Sequence, residues 1–203
     1  MAKPDLIRTN HTVILVRHGE TALNAKGRFQ GGLDEPLNAT GENQARELAA
    51  RLKNKLEPEL LSALSLRSSP LKRAVMTTEI LAAELGKSFE NNQITDELTE
   101  MRFGRWQGLT SSEVKEKYPQ ERKRRKADRW HFAPSGGQSF RDLVDPVTDW
   151  IQSVDQPVLA VTHFGVIRVA AVVAGGFEID HAMALKPAHG DIWKIHDGTL
   201  ERL

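Results

Sequence analysis

The chain has 203 residues, enough for one well-buried core and, by the usual length prior, for one domain spanning 1–203. Hydrophobic residues make up 39% and charged residues 27%, and 28 Lys and Arg stand against 27 Asp and Glu, so a net charge of +1 supplies no global field for an anionic partner. Cysteine is absent, which excludes disulfides, iron–sulfur clusters, thiolate zinc sites and a cysteine nucleophile.

The amino-terminal stretch MAKPDLIRTNHTVILVRHGE has one apolar run, 13–16. That is too short for a signal peptide, and no later stretch approaches the ~20 residues of a membrane span. A cytoplasmic location without membrane contact is the expectation.

In chain order, the β-branched apolar run 12–16 reads as a buried strand. Ala45, Leu48, Ala49, Leu52 and Leu56 then recur at helical spacing, with Thr40 as the expected N-cap. Residues 62–66 read as a second strand. Ser69 and Pro70 follow as N-cap and first helical residue of a helix that carries Leu71, Ala74, Val75, Thr78, Leu81 and Leu85 and ends at Gly86. Residues 111–118 read as a short helix stopped by Pro119, and 121–129 as a charged segment. After the loop Pro134-Ser135-Gly136-Gly137, a helix is expected over 138–151, kinked or interrupted by Pro146. Residues 157–162 read as a third strand, 166–174 as an apolar helix closed by Gly175-Gly176, and 190–196 as the final strand. Strands separated by helices imply an α/β protein: a mostly parallel sheet with helices on both faces, in three layers.

Three strand-to-helix junctions carry unusual residues: Arg17-His18-Gly19-Glu20-Thr21, Ser68-Ser69-Pro70-Leu71-Lys72-Arg73, and Thr162-His163-Phe164-Gly165. In a parallel sheet all strand C-termini share one edge, where ligands bind. Taken singly, each piece reads as a turn, a solvated helix residue or a core histidine. Together they bring Arg17, His18, Arg73 and His163 to one edge. Lys72 and Arg73 also stand in the first turn of a helix, where the macrodipole disfavours cations by ~0.3–1 kcal/mol unless an anion lies between. Two guanidinium forks suit a phosphoryl group, and a neutral imidazole can attack its phosphorus. A protonated second imidazole would add a donor, and a nearby carboxyl group would protonate the leaving alkoxide.

The motifs VILVRHGET, Asn24, GRFQG, PLNATGENQARELAARL, SSPLKRAVMTTEIL, LTEMRFGRWQG and VTHFGVIR, in this order, resemble the histidine phosphatase superfamily, also called phosphoglycerate mutase-like. The resemblance covers nearly the whole chain and implies the phosphoglycerate mutase-like fold. It implies that His18 is the nucleophile, that Arg17 and Arg73 bind the phosphoryl group, that His163 completes the pocket and that Glu100 is the general acid. Asn24, Gln30 and Gly31 match positions that line the phosphate pocket. No metal and no cofactor are implied, and the substrate is a small phosphorylated molecule. Arg28 and Arg102 are open between ligand contact and surface ion pairs.

The chain departs from the family pattern in three places. Phe164 follows His163 where a small residue is usual, Gln138 replaces a common Glu, and Pro146 stands where Arg is frequent. These bear on substrate preference. The interval from Glu100 to His163 lacks room for the insertion of the mutases, and Ser111 stands where they carry Lys. Hydrolysis is therefore expected over mutase-type phosphoryl transfer, while the PSGGQSF loop and the Trp130 region resemble alpha-ribazole phosphatase and broad-specificity phosphatases. An inactive phosphate-binding module is the remaining class, disfavoured because Arg17, His18, Arg73, Glu100 and His163 are all present.

The segment from about 105 to 137 reads as a variable lid. Its basic run Arg122-Lys123-Arg124-Arg125-Lys126, with Arg129, is either a solvated helix face balanced by Glu113, Glu116 and Glu121 or a lid that steers polyanions. Nucleic-acid contact is set aside for want of interleaved aromatics. A homodimer is left open.

Overall fold

The computed structural model describes residues 4–203. Met1, Ala2 and Lys3, part of the stretch read for an export signal, lie outside the described residues. The elements run β1 (Val13–Arg17), α1 (Ala22–Ala25), α2 (Ala39–Lys55), α3 (Pro58–Ala63), β2 (Ser65–Ser68), α4 (Lys72–Leu85), α5 (Ser111–Lys117), α6 (Pro119–Ala127), α7 (Val144–Gln152), β3 (Val158–Thr162), α8 (Phe164–Val173), α9 (Ile179–Ala184), β4 (Ile192–His196) and β5 (Thr199–Arg202). No described helix is long and apolar enough to cross a membrane.

The five strands form one sheet in the order β2-β3-β1-β4-β5. β1 pairs in parallel with β3, and β3 with β2, whereas β4 is antiparallel to both β1 and β5. Four strands therefore point one way and β4 the other.

Side chains alternate across the sheet as a strand's period of two requires. Val13 and Leu15 of β1 enter a cluster with α7, α8 and α9, and Ile14 and Val16 enter another with α2 and α4. All four are fully buried. Burial at about 1.5–3 kcal/mol for each such side chain fixes the register, because a slip of one residue would exchange the two faces. The result is the expected three-layer arrangement. A third, smaller cluster of Trp106, Val114 and Phe132 sits under α5 and α6.

Several local expectations need correction. The N-cap of α2 is Asn38, whose side chain accepts from the Gly41 N–H, so Thr40 falls inside the helix. Ser62 belongs to the unanticipated α3, and β2 starts only at Ser65. The cap residue of α4 is Leu71, not Ser69. Pro119 stops α5 and also opens α6, where its missing N–H has no helical partner to lose. Pro146 kinks nothing, because α7 begins at Val144 and the proline lies in its first turn. The short α1 and α9 and the edge strand β5 were also not anticipated.

Two glycines set how closely the turn after β1 approaches α2. A Cβ on Gly41 would overlap the Glu20 carbonyl oxygen, and one on Gly19 would overlap the Gly41 backbone. Replacing Gly41 with Ala should destabilise the protein by about 1–3 kcal/mol, the usual range for an overpacked site. Gly86, left-handed at φ 65° with open space around it, should cost only about 1 kcal/mol on the same change. Urea denaturation of the two variants checks this; equal losses would show that the backbone approach carries no stability.

Candidate active site

Strand register decides what meets at the sheet edge. Arg17 pairs with Thr162, and Ser68 with Val161, so the residues that follow emerge side by side. The His18 N–H donates to the Thr162 carbonyl and the Ser69 N–H to the Val161 carbonyl, both over 3.1 Å. Because β4 runs the other way, the residues before Ile192 reach this same edge.

His18 is 3% exposed. Its Nδ1 lies 2.7 Å from the Gly19 carbonyl, which can only accept, so the proton sits on Nδ1 and the lone pair on Nε2. Arg73 Nε–H donates to that Nε2 over 3.2 Å. Burial, aided by His163, Arg73, Arg17 and His189, holds the His18 pKa well below its ordinary value. The imidazole is neutral, with its free nitrogen facing a guanidinium.

Arg73 is 1% exposed and also donates to the Leu33 and Gly31 carbonyls, each over 2.8 Å. Burial lowers its pKa to about 10, so it stays charged at neutral pH. The cation in the first turn of α4 is thus anchored by backbone carbonyls. Its neighbour Lys72 does not join it: Asp34 accepts from the Lys72 N–H at 2.7 Å and lies 3.7 Å from its ammonium group. A carboxylate of the chain itself occupies the position where the sequence suggested a bound anion.

Behind His18, His163 is fully buried with its ring centroid 5.0 Å away. Ser69 Oγ stands 2.7 Å from its Nε2 and accepts, over 3.4 Å, from the Leu71 N–H. The serine hydrogen is then free to go to Nε2, which leaves Nδ1 as a donor. That Nδ1 has no hydrogen-bond partner, and neither has Arg17 Nε; both are buried. Buried donors without partners are rare, and two at one site invite an anion. Trp193 Nε1, on β4, is also without a partner. Burial, Arg73 and Arg17 hold the His163 pKa well below its ordinary value, which favours a neutral ring that donates through one nitrogen.

Glu100 is 8% exposed; its carboxylate accepts from the Met101 N–H at 2.9 Å and from the Gly165 N–H at 3.1 Å. Burial raises its pKa against the opposing pull of those two bonds and of Arg73 and Arg17. A Cβ at Gly165 would overlap Glu100 Oε1, so the glycine makes room for the acid.

Arg17, His18, Asn24, Gln30, Gly31, Arg73, Glu100 and Phe164 all line one cavity of about 240 Å³, while His163 stands behind it. Asn24 also accepts from the Thr21 N–H, and Gln30 from the Thr21 hydroxyl, so both are fixed by α1's cap. Gly31 adopts φ 54°, and a Cβ there would crowd the Met101 carbonyl. Phe164 lies between Arg17, 5.3 Å from the ring centroid, and Arg168, at 4.0 Å. Arg28 lines the cavity and also pairs with Glu113 at 2.9 Å. Arg102, Gln138 and Pro146 line a neighbouring recess, which Glu100 also borders.

Sequence reasoning missed His189. Its Nδ1 lies 2.6 Å from the His18 carbonyl, its ring 5.4 Å from His18, and burial lowers its pKa to about 4. Asp191 holds the loop by accepting from the Ala188 N–H, and the Pro187 carbonyl accepts from Arg17. The available signal was His-Gly-Asp before a strand, readable only if that strand is antiparallel. The apolar walls Phe29, Phe103 and Phe140 were also missed.

These groups couple stability to pH. His18, His163 and His189 have depressed pKa values, so the stability they contribute is complete above about 6.5, the ordinary value, and is lost as pH falls. Glu100, with a raised pKa, acts in the opposite sense, one proton against three. Denaturation midpoints should therefore fall steadily from about pH 6.5 toward 4, the span of the His189 shift, and His189→Asn should flatten the slope. A midpoint that rises on acidification would contradict this.

Residues 13–198 match the family described as the Histidine phosphatase superfamily (branch 1). Phosphoglycerate mutase-like protein 4 of Arabidopsis thaliana is 36% identical over 163 residues, which cover 77% of this chain and 67% of that protein. Glucosyl-3-phosphoglycerate phosphatase of Mycolicibacterium vanbaalenii is 34% identical over 182 residues, covering 83% and 76%. A solved structure from Escherichia coli, provisionally named as an alpha-ribazole-5'-phosphate phosphatase, superposes with a TM-score of 0.78 at 23% identity over 96% of this chain and 95% of that one, and shows the shared fold. On the extent of the family match and the identity of its relatives, the chain belongs to the histidine phosphatase superfamily.

Proposed function

We propose that the protein hydrolyses small phosphomonoesters through a phosphohistidine at His18. One observation carries the reading: a neutral imidazole whose unprotonated Nε2 faces Arg73 in a cavity that Arg17 also lines. In this reaction Nε2 attacks phosphorus and the bond to the ester oxygen breaks. Arg17, Arg73 and the free donor of His163 spread the charge of the transferring group. Glu100 gives its proton to the departing alkoxide, then takes one from the water that cleaves the phosphorus–nitrogen bond. Phosphate leaves, and His18 is neutral again. Burial supports the acid role, since it already raises the Glu100 pKa before a substrate's charge adds to it.

The relative named for phosphoglycerate mutase favours a second reading, transfer of the phosphoryl group back to an alcohol. The two separate on product: hydrolysis releases inorganic phosphate at the rate at which substrate disappears. Within the described residues, no group of three or more His, Asp or Glu is arranged to hold a metal ion.

Acid-sensitive trapping tests the nucleophile. Rapid quenching during turnover in EDTA should yield a base-stable, acid-labile phosphoenzyme, absent from His18→Ala. An active His18→Ala enzyme would remove the mechanism.

Leaving groups test Glu100. Glu100→Gln should lower turnover of an alkyl phosphate by about 10²-fold or more and largely spare p-nitrophenyl phosphate, whose phenolate departs unaided. The wild-type rate on the alkyl ester should fall as pH rises through the raised Glu100 pKa, with an optimum on the acidic side of neutrality. Equal losses on both esters would make Glu100 structural.

A further inference from the structure

The basic run of α6 is not a balanced surface. Glu113 is committed to Arg28, and Glu121 to Arg105 and the Trp106 indole. Asp128 pairs with His131. Among the described residues no carboxylate comes within ion-pair distance of any cation from Arg122 to Arg129, so Glu113, Glu116 and Glu121 form no ion pair with the run.

The cations also have a place to act. A recess of about 610 Å³ lies between α5 and α6, and apart from Pro119 every side chain lining it is Lys or Arg. Arg125 lines this recess and the catalytic cavity as well. It lies over Phe29 at 5.8 Å and Trp106 at 5.6 Å, half-buried. Arg124, equally basic in sequence, is exposed and rests near Phe132. Burial and the like charges of Arg129 and Arg122 lower the Arg125 pKa to about 10. Clustered cations with no ion-paired carboxylate repel one another, and an anion bound among them relieves both that repulsion and the desolvation.

We propose that this recess is a second anion subsite, and that the substrate is a phosphomonoester whose alcohol carries a further carboxylate or phosphate, met by Arg125 at the junction with the catalytic cavity. The inference rests on the phosphatase reading for its choice of substrate. The apolar walls Phe29, Phe103 and Phe140 take the carbon chain between the two charges, and Arg122 and Arg129 lie beyond Arg125 to hold the distal group.

Matched substrates test it: butyl phosphate, 4-phosphonooxybutanoate and butane-1,4-diyl bisphosphate, which share one chain length. The wild-type enzyme should favour one or both of the esters that carry a second anionic group over butyl phosphate by about tenfold in kcat/KM, mainly through KM, and the carboxylate and phosphate arms say which group fits. The preference should shrink in about 0.5 M NaCl, where screening is strong. Arg125→Gln should bring it to within about threefold, and Arg125→Lys should restore part of it. Lys123→Gln with Arg129→Gln, at exposed positions, should reduce it without touching the Trp106 packing. Equal kcat/KM for the three esters in the wild type, or equal losses on all three in the variants, would overturn the subsite. Calorimetry separates this from failure of the phosphatase reading. Butane-1,4-diylbisphosphonate should bind about tenfold tighter than butylphosphonate, and Arg125→Gln should abolish the difference. If no ester is turned over but this difference is found, the subsite stands and hydrolysis falls; equal affinities overturn the subsite whatever the activity.

Discussion

The buried guanidinium of Arg73 is the group on which the site's geometry hangs. A charge that is 1% exposed must have its donors satisfied, and here they reach the Gly31 and Leu33 carbonyls and His18 Nε2. One side chain thereby ties α4 to the loop after α1 and to the end of β1. The loop can bend to present those carbonyls because Gly31 adopts φ 54°. A neutral residue at 73 would strand the carbonyls, and a lysine would lack the planar fork that spans three acceptors. The same contact keeps His18 neutral, since a proton on Nε2 would face an N–H donor.

The main layers were readable in the sequence because 13–16 and 158–161 are continuous apolar runs, and buried parallel strands leave that trace. The site residues at strand ends followed from the same pattern, with roles supplied by family resemblance. What stayed hidden has physical causes. Strand direction is not written in composition, so the reversal of β4, and with it His189, could not be seen. Pro146 looks like a breaker by identity, but its effect depends on a helix start that a single 3-10 turn at 141–143 displaces. Glu100 carries no local signal of burial; Gly165, sixty-five residues away, makes its niche.

The partners of the basic run stayed hidden for a related reason. Counting acids near a basic run assumes that neighbours in sequence pair in space. Glu121 instead turns inward to Arg105, Trp106 and the Ser135 N–H, and Glu113 caps α5 through Thr110 while holding Arg28. Each carboxylate serves the fold around Trp106, which leaves α6 basic. Arg124 and Arg125 are adjacent, yet helical geometry points one outward and the other to the cavity, a difference of about 100° around the axis.

The reversed strand also sets an order in time. His189 lies 171 residues beyond the His18 whose carbonyl it contacts. During synthesis from the amino end, β1, β2 and β3 can pair, and Arg73 can reach His18, while the loop that meets Arg17 and the His18 backbone has yet to be made. A growing chain therefore carries His18 before the cradle around it is closed. The loop that meets Arg17 and the His18 backbone is held in place by β4, so the antiparallel flank is the part of the sheet that completes the site last in chain order.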